Sequence, residues 1–181
     1  PVRTNMFDAN TSETMQILSL LVDPYSMVGE NFTVYAGTQG YGVWTATFSD
    51  KPGEISGGNW DPVRDLGSDK KISSGSFRIN HLVILPNKNV YAATASGIWY
   101  IPSPDSGNPA VAIQNGAGEY PPESNFLKLA FDSKNPKSMY ATTPKGVYRV
   151  ELKENDPSTF EIFGKILNTT DPIRLKEVRV S

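Results

Sequence analysis

The chain has 181 residues, 38% hydrophobic and 20% charged, the make-up of an ordinary globular protein. Its formal net charge of −2 gives no basic field for a phosphate backbone, so nucleic acid is not an expected partner. It has no cysteine and one histidine, His81, which excludes disulfides, thiolate chemistry and Cys- or His-rich metal sites within one chain.

The chain opens on Pro1 rather than Met, and is read as a processed product or a piece of a longer protein. Ser12 to Gln16 is read as a helical turn. The longest early apolar run, Ile17 to Val22, is far shorter than the roughly 20 residues a membrane-spanning helix needs, so no membrane span is expected. Asn-x-Ser/Thr sequons begin at Asn10, Asn31 and Asn168, compatible with export.

One pattern then recurs three times. An apolar strand ends near a turn at Asp23-Pro24. Val34-Tyr35-Ala36-Gly37-Thr38 follows, then Gly42-Val43-Trp44, then a β-prone stretch from Trp60 to Leu66. The second copy runs through His81-Leu82-Val83-Ile84-Leu85, Val90-Tyr91-Ala92-Ala93-Thr94, Gly97-Ile98-Trp99 and Ala110 to Gln114. The third runs through Leu127-Lys128-Leu129-Ala130-Phe131-Asp132, Met139-Tyr140-Ala141-Thr142-Thr143, Gly146-Val147-Tyr148 and Phe160 to Leu167. The tyrosines lie 56 and then 49 residues apart.

Each unit is therefore read as four short strands, and 15 glycines and 14 prolines break any long helix. The first strand of each unit, apolar at nearly consecutive positions, is expected to be buried on both faces between neighbouring sheets. The small residues after each tyrosine allow close approach of adjacent sheets, and the aromatic residue on the third strand fills wider space. The expected fold is all-β: a β-propeller segment of about three four-stranded blades plus the first strand of a fourth. The blade-like units are 15–67, 77–115 and 125–168, with a partial unit at 173–181, in a ring of about 6–8 blades.

At these residues the sequence resembles the Asp-box, or bacterial-neuraminidase-repeat, propellers. That group includes sialidases, xyloglucan-degrading glycosidases, sortilin-type receptors and photosystem assembly factors. Its box, Ser-x-Asp-x-Gly-x-Thr-Trp, is matched in its first half by Ser103-Pro104-Asp105-Ser106-Gly107. Ser49 to Gly53 offers a shifted version, and Asn155-Asp156-Pro157 keeps an acidic turn. The resemblance implies a structural role for the box. Val2 to Phe7 is read as an outer strand of a preceding or closing blade. The remaining blades of the same protein, or another copy of the chain, are expected to close the ring.

In such propellers ligands meet the loops between second and third strands and between successive blades. The ligand-binding candidates are accordingly Gln39, Tyr41, Arg78, Glu119, Tyr120 and Lys145, with tyrosines to stack on a sugar and polar groups to hydrogen-bond. Phe77-Arg78-Ile79 resembles a sialidase segment whose arginine binds a carboxylate, but Asn80 departs from it, and Arg78 is read as a solvated residue at a strand start. Asp61, Asp65, Asp69 and Glu119 are acids available for glycoside hydrolysis, with no spacing that selects a pair. No catalytic residue, metal or cofactor is assigned. His81 is read as a packed residue, Trp44 and Trp99 as core, and Asp23 and Asp132 as turn formers. The functional expectation is an extracytoplasmic binding or assembly scaffold for protein or glycan, the alternative a fragment of a sialidase- or xyloglucanase-like hydrolase.

Overall fold

The computed structural model describes residues 16–51, 54–57, 60–63, 77–102 and 108–168, and among them the chain is all-β with no helix. Residues 12–15 of the expected helical turn, the 103–107 box and the 173–181 strand lie outside the described residues.

Three antiparallel meanders follow one another. The first is β1 (Ile17–Val28), β2 (Asn31–Gly40) and β3 (Val43–Lys51), with its fourth position filled in two pieces, β4 (Glu54–Gly57) and β5 (Asp61–Pro62). The second is β6 (Phe77–Ile84), β7 (Val90–Thr94), β8 (Gly97–Ile101) and β9 (Val111–Ala112). After a short β10 (Gln114–Asn115), the third is β11 (Lys128–Asp132), β12 (Asn135–Thr143), β13 (Gly146–Lys153) and β14 (Asp156–Asn168). The end of β2 pairs with the start of β6 through Gln39–Arg78 and Gly40–Phe77, which joins the first two meanders into one curled nine-stranded sheet. The third meander takes in β10, parallel to β14, as a five-stranded sheet.

The repeated cassettes occupy matching registers. Tyr35 lies between Leu21 and Thr45, Tyr91 between Val83 and Tyr100, and Tyr140 between Ala130 and Arg149. The following alanines face the third-strand aromatics as Ala36–Trp44, Ala92–Trp99 and Ala141–Tyr148. The turn residues also recur. Asp23 Oδ1, Asn87 Oδ1 and Asp132 Oδ1 each accept the backbone N–H two residues on, at 2.8, 3.1 and 2.9 Å.

The threonine of each cassette closes the hairpin between second and third strands. Thr38 Oγ1 donates to Gly42 O at 2.9 Å and accepts from the Tyr41 N–H at 2.9 Å. Thr94 Oγ1 donates to Gly97 O at 2.8 Å and accepts from Ser96 N–H at 3.0 Å. Thr143 repeats this with Gly146 O at 3.5 Å and Lys145 N–H at 3.0 Å. The three glycines have φ of +69°, +135° and +146°, a region side chains rarely enter. One hydroxyl thus bonds two backbone groups of the turn at once. Thr94→Val keeps the shape and removes the hydroxyl. It is expected to cost about 1–3 kcal/mol, seen as a lower urea midpoint at unchanged m.

The core lies between meanders. Tyr35, Val43, Ile79, Leu82, Val90 and Ala92 form one buried cluster between the first and second. Tyr91, Ile98, Phe126, Leu129, Met139 and Leu152 belong to another, between the second and third. A third cluster, Val34, Ala36, Ala46 and Trp60, covers the outer face of the first meander. Tyr35 and Tyr91 therefore point into the meander that follows their own.

The first strand of the first meander does not have the two-sided burial its composition suggests. Leu82 and Leu129 are buried, but Leu18, Leu20 and Val22 on β1 are exposed. An apolar run reports the capacity for burial; here one face of β1 meets β6 and the other has no neighbouring sheet among the described residues.

Side chain-to-backbone straps link consecutive meanders at matching positions. Ser19 Oγ, opposite Gly37, accepts the Leu82 N–H at 3.0 Å. His81 Nδ1, opposite Ala93, accepts the Leu129 N–H at 3.3 Å. Accepting requires an unprotonated nitrogen, and burial first, Lys128 second, hold His81 below its ordinary 6.5. A lowered folded value means that the unfolded chain binds the proton more readily. The stability is complete above about pH 6.5 and is lost as pH falls towards the folded value. The melting temperature of the native chain is expected to fall between about pH 7 and 5.5, and His81→Gln to flatten that part of the profile.

Candidate functional site

The three Thr-closed hairpins mark one end of the meanders, and the start of each following meander is tied beside them. Ala95 N–H bonds Arg78 O at 3.3 Å, Phe126 N–H bonds Thr94 O at 2.9 Å, and Leu127 N–H bonds Thr142 O at 2.8 Å. The 2–3 hairpins and the residues that open each following meander therefore share this end. Gln39 and Arg78, both exposed, face each other across the β2–β6 ladder at the first seam. Tyr41, half-buried, holds the hairpin turn through its N–H to Thr38, while its carbonyl accepts from Trp44 Nε1 at 3.0 Å.

At the second seam Lys145 meets a partner the sequence pattern did not single out. Its Nζ lies 3.1 Å from Glu123 Oε2, and Tyr148 OH donates to Glu123 Oε1 at 3.1 Å. Phe163 stacks on the Tyr148 ring at 4.9 Å, and Lys165 Nζ lies 5.7 Å from that ring's centroid. The hydrogen bond from Lys145 is the main reason the Glu123 carboxyl sits below its usual range, with Tyr148 adding to it. Burial, then Glu123, push the Tyr148 phenol up. Lys145, Glu123 and Tyr148 thus form one hydrogen-bonded, ion-paired cluster at the rim of this seam.

Glu119 is placed elsewhere. Asn115 Oδ1 accepts the N–H groups of Ala117 and Glu119, Asn115 Nδ2 donates to Glu119 Oε2 at 2.8 Å, and the Asn115 N–H donates to Glu119 O. That closed turn stands beside Phe160, itself opposite Leu152. Leu152 lies six residues along β13 from the Gly146 hairpin, about 20 Å at the rise of a strand. Tyr120, next to it, is exposed. The six candidates thus divide: Gln39, Tyr41, Arg78 and Lys145 share the hairpin end, while the Glu119 turn stands well down β13. Lys145 was predicted without its partner Glu123, because a lone acid in an irregular connection carries no periodic signal.

The acids available for hydrolysis do not assemble into a pair among the described residues. Asp61 is exposed at β5, Glu119 is used in its turn, and Asp65 and Asp69 lie outside the described residues. Asp156, in the third acidic turn, spends its carboxylate locally. It accepts from Ser158 N–H at 3.0 Å, Ser158 Oγ at 2.6 Å and Thr159 Oγ1 at 2.6 Å, and those bonds hold it below its usual range. No group of three metal-ligating side chains occurs among the described residues, and no helix there is long and apolar enough to cross a membrane.

No family model matches the chain, and no curated protein matches it. Among solved structures, it is similar to the crystal structure of the extracellular domain of a putative hybrid two-component system from B. thetaiotaomicron. The identity is 14% and the TM-score 0.39, over 94% of this chain and 25% of that one. The chain spans about a quarter of that structure's length.

Proposed function

We propose that the chain is a run of three β-propeller blades, of the Asp-box kind, that works as an extracytoplasmic, non-catalytic scaffold and receives a polar ligand, glycan or protein segment, at its hairpin end. The observation that carries this reading is the repeated Thr-closed hairpin, which sets three equivalent loops at one end and leaves Gln39, Arg78 and Lys145 exposed at the seams between them. Acids that could turn over a substrate are engaged instead: Glu123 by Lys145 and Tyr148, Glu119 by Asn115, Asp156 by Ser158 and Thr159. Such loops on a rigid sheet scaffold are well suited to recognition.

A panel of soluble polysaccharides and chromogenic glycosides tests this. Binding of at least one polysaccharide, weakened about tenfold by Arg78→Ala or Lys145→Ala at unchanged melting temperature, is the expected result; tenfold corresponds to about 1.4 kcal/mol. Glycoside turnover that disappears in Glu123→Gln would replace the scaffold with an enzyme.

A further inference from the structure

The turn that follows β10 holds the one Asn-Gly pair in the sequence, Asn115-Gly116. Both polar atoms of the Asn115 side chain are engaged there. Oδ1 accepts the N–H groups of Ala117 and Glu119, each at 2.9 Å, and Nδ2 donates to Glu119 Oε2 at 2.8 Å. Two main-chain bonds close the same turn, Asn115 N–H to Glu119 O at 2.8 Å and Gly118 N–H to Asn115 O at 2.9 Å. Gly118 needs its glycine for a φ of +80°. Gly116 does not: its φ lies outside the left-handed region, and a Cβ there would meet nothing within 4 Å. A side chain would fit at 116, so what glycine adds is reactivity, by leaving the 116 nitrogen unhindered beside the Asn115 amide.

We propose that Asn115-Gly116 is a self-modifying site, restrained by Glu119, that converts irreversibly once its turn opens. In the reaction the Gly116 nitrogen bonds to Asn115 Cγ and gives up its proton, the Cγ–Nδ2 bond breaks, and ammonia leaves with that proton. Water, which reaches the exposed residues Gly116 to Glu119, then opens the five-membered imide at either carbonyl to give aspartate or isoaspartate. The first step needs an amide free to turn its Cγ towards the 116 nitrogen, and three hydrogen bonds hold it, so the closed turn slows it. Neither product rebuilds the turn. Aspartate puts a second carboxylate where Nδ2 had donated to Glu119, and isoaspartate adds a carbon to the main chain between residues 115 and 116. Either slackens the β10–β14 ladder, in which Gln114 and Asn115 pair with Thr159 and Phe160. The site is thus a one-way record of opening at a joint between the second and third meanders. It stands apart from the hairpin end and is independent of any ligand there.

Peptide mapping by mass spectrometry, on the native chain held in mildly alkaline buffer, reads the exchange of amide for acid at residue 115. Conversion in the folded chain is expected to run at least about tenfold slower than in the same chain unfolded in guanidinium chloride, since three hydrogen bonds must first be left. Glu119→Ala, at an exposed position, should quicken conversion of the folded chain about threefold or more, the effect of losing one of those bonds. Glu119→Gln keeps an oxygen for Nδ2 and should stay slow. Gly116→Ala keeps the turn and should slow conversion in both states. The converted chain should show faster amide exchange across Thr159 and Phe160. Equal rates in the folded and unfolded native chain would overturn the proposal, as would a folded Glu119→Ala chain that converts no faster than the native one. An unfolded chain that does not convert at residue 115 would overturn it as well.

Discussion

Tyr91→Ala is expected to remove roughly 3–5 kcal/mol of stability, the largest loss from any single substitution described for this chain. The ring is fully buried between the second and third meanders and lies 5.6 Å from that of Tyr100. Its hydroxyl crosses the seam to donate to Pro157 O at 2.9 Å, in the turn that Asp156 shapes. Burial is the main cause that raises the phenol, which keeps it a donor at all ordinary pH. Two contributions are separable. Tyr91→Phe keeps the ring and leaves the carbonyl without this donor, costing about 1–3 kcal/mol, and the remainder of the alanine loss measures the cavity. Urea denaturation with the m-value compared between variants reads both. An alanine variant within about 1 kcal/mol of the native chain would mean that the seam carries little of the stability.

The second large effect comes from adding a single methyl group. A Cβ on Gly37 would lie 2.5 Å from Ile79 Cγ2, 2.9 Å from Ile79 Cβ and 3.5 Å from Ser19 Cβ. Ile79 is fully buried and branched at Cβ, so the atoms in the way sit next to its backbone and cannot swing aside. Gly37→Ala is expected to cost about 1–3 kcal/mol through overpacking of the first seam. Gly164 has open space around its Cβ position, and Gly164→Ala is the control, with a change within about 0.5 kcal/mol. Truncating Ile79 to alanine in the Gly37→Ala background should give a coupling energy of about 1 kcal/mol or more, in the sense that the two relieve each other. Equal effects of the two glycine substitutions would show that Gly37 is not a point of close approach.

The parts of this fold that were legible in the sequence are those set by local chemistry. The Tyr-Ala-x-Thr and Gly-aliphatic-aromatic cassettes fix second and third strands and the turn between them, and their small residues announce close packing. Ala36, Ala92 and Ala141 are all fully buried, and Gly37 has no room for a methyl group. The threonine was visible as a repeated letter, but its use as a double turn cap depends on hydroxyl geometry that no pattern states. β1 was misjudged because Leu18, Leu20 and Val22 read the same whether or not another sheet covers them. Fourth strands were poorly legible for a related reason: the first meander supplies that position in two short pieces, β4 and β5, and the second in the two-residue β9. At the hairpin end, spacing identified loops, and the structure puts the candidates Gln39, Tyr41, Arg78 and Lys145 at that one end. Spacing could not find Glu123, whose role comes from distance to Lys145 and Tyr148, nor see that Glu119 is tied into the Asn115 turn.

The account depends on Tyr35 and Tyr91 each being buried by the meander that follows its own. Nuclear Overhauser contacts from the tyrosine rings to methyl-labelled Leu, Ile, Val and Met test this most directly. Contacts from Tyr35 to Ile79 and Leu82, and from Tyr91 to Leu129 and Met139, are predicted. Contacts from both rings to one common set of methyl groups, as in a single two-layer stack, would contradict it.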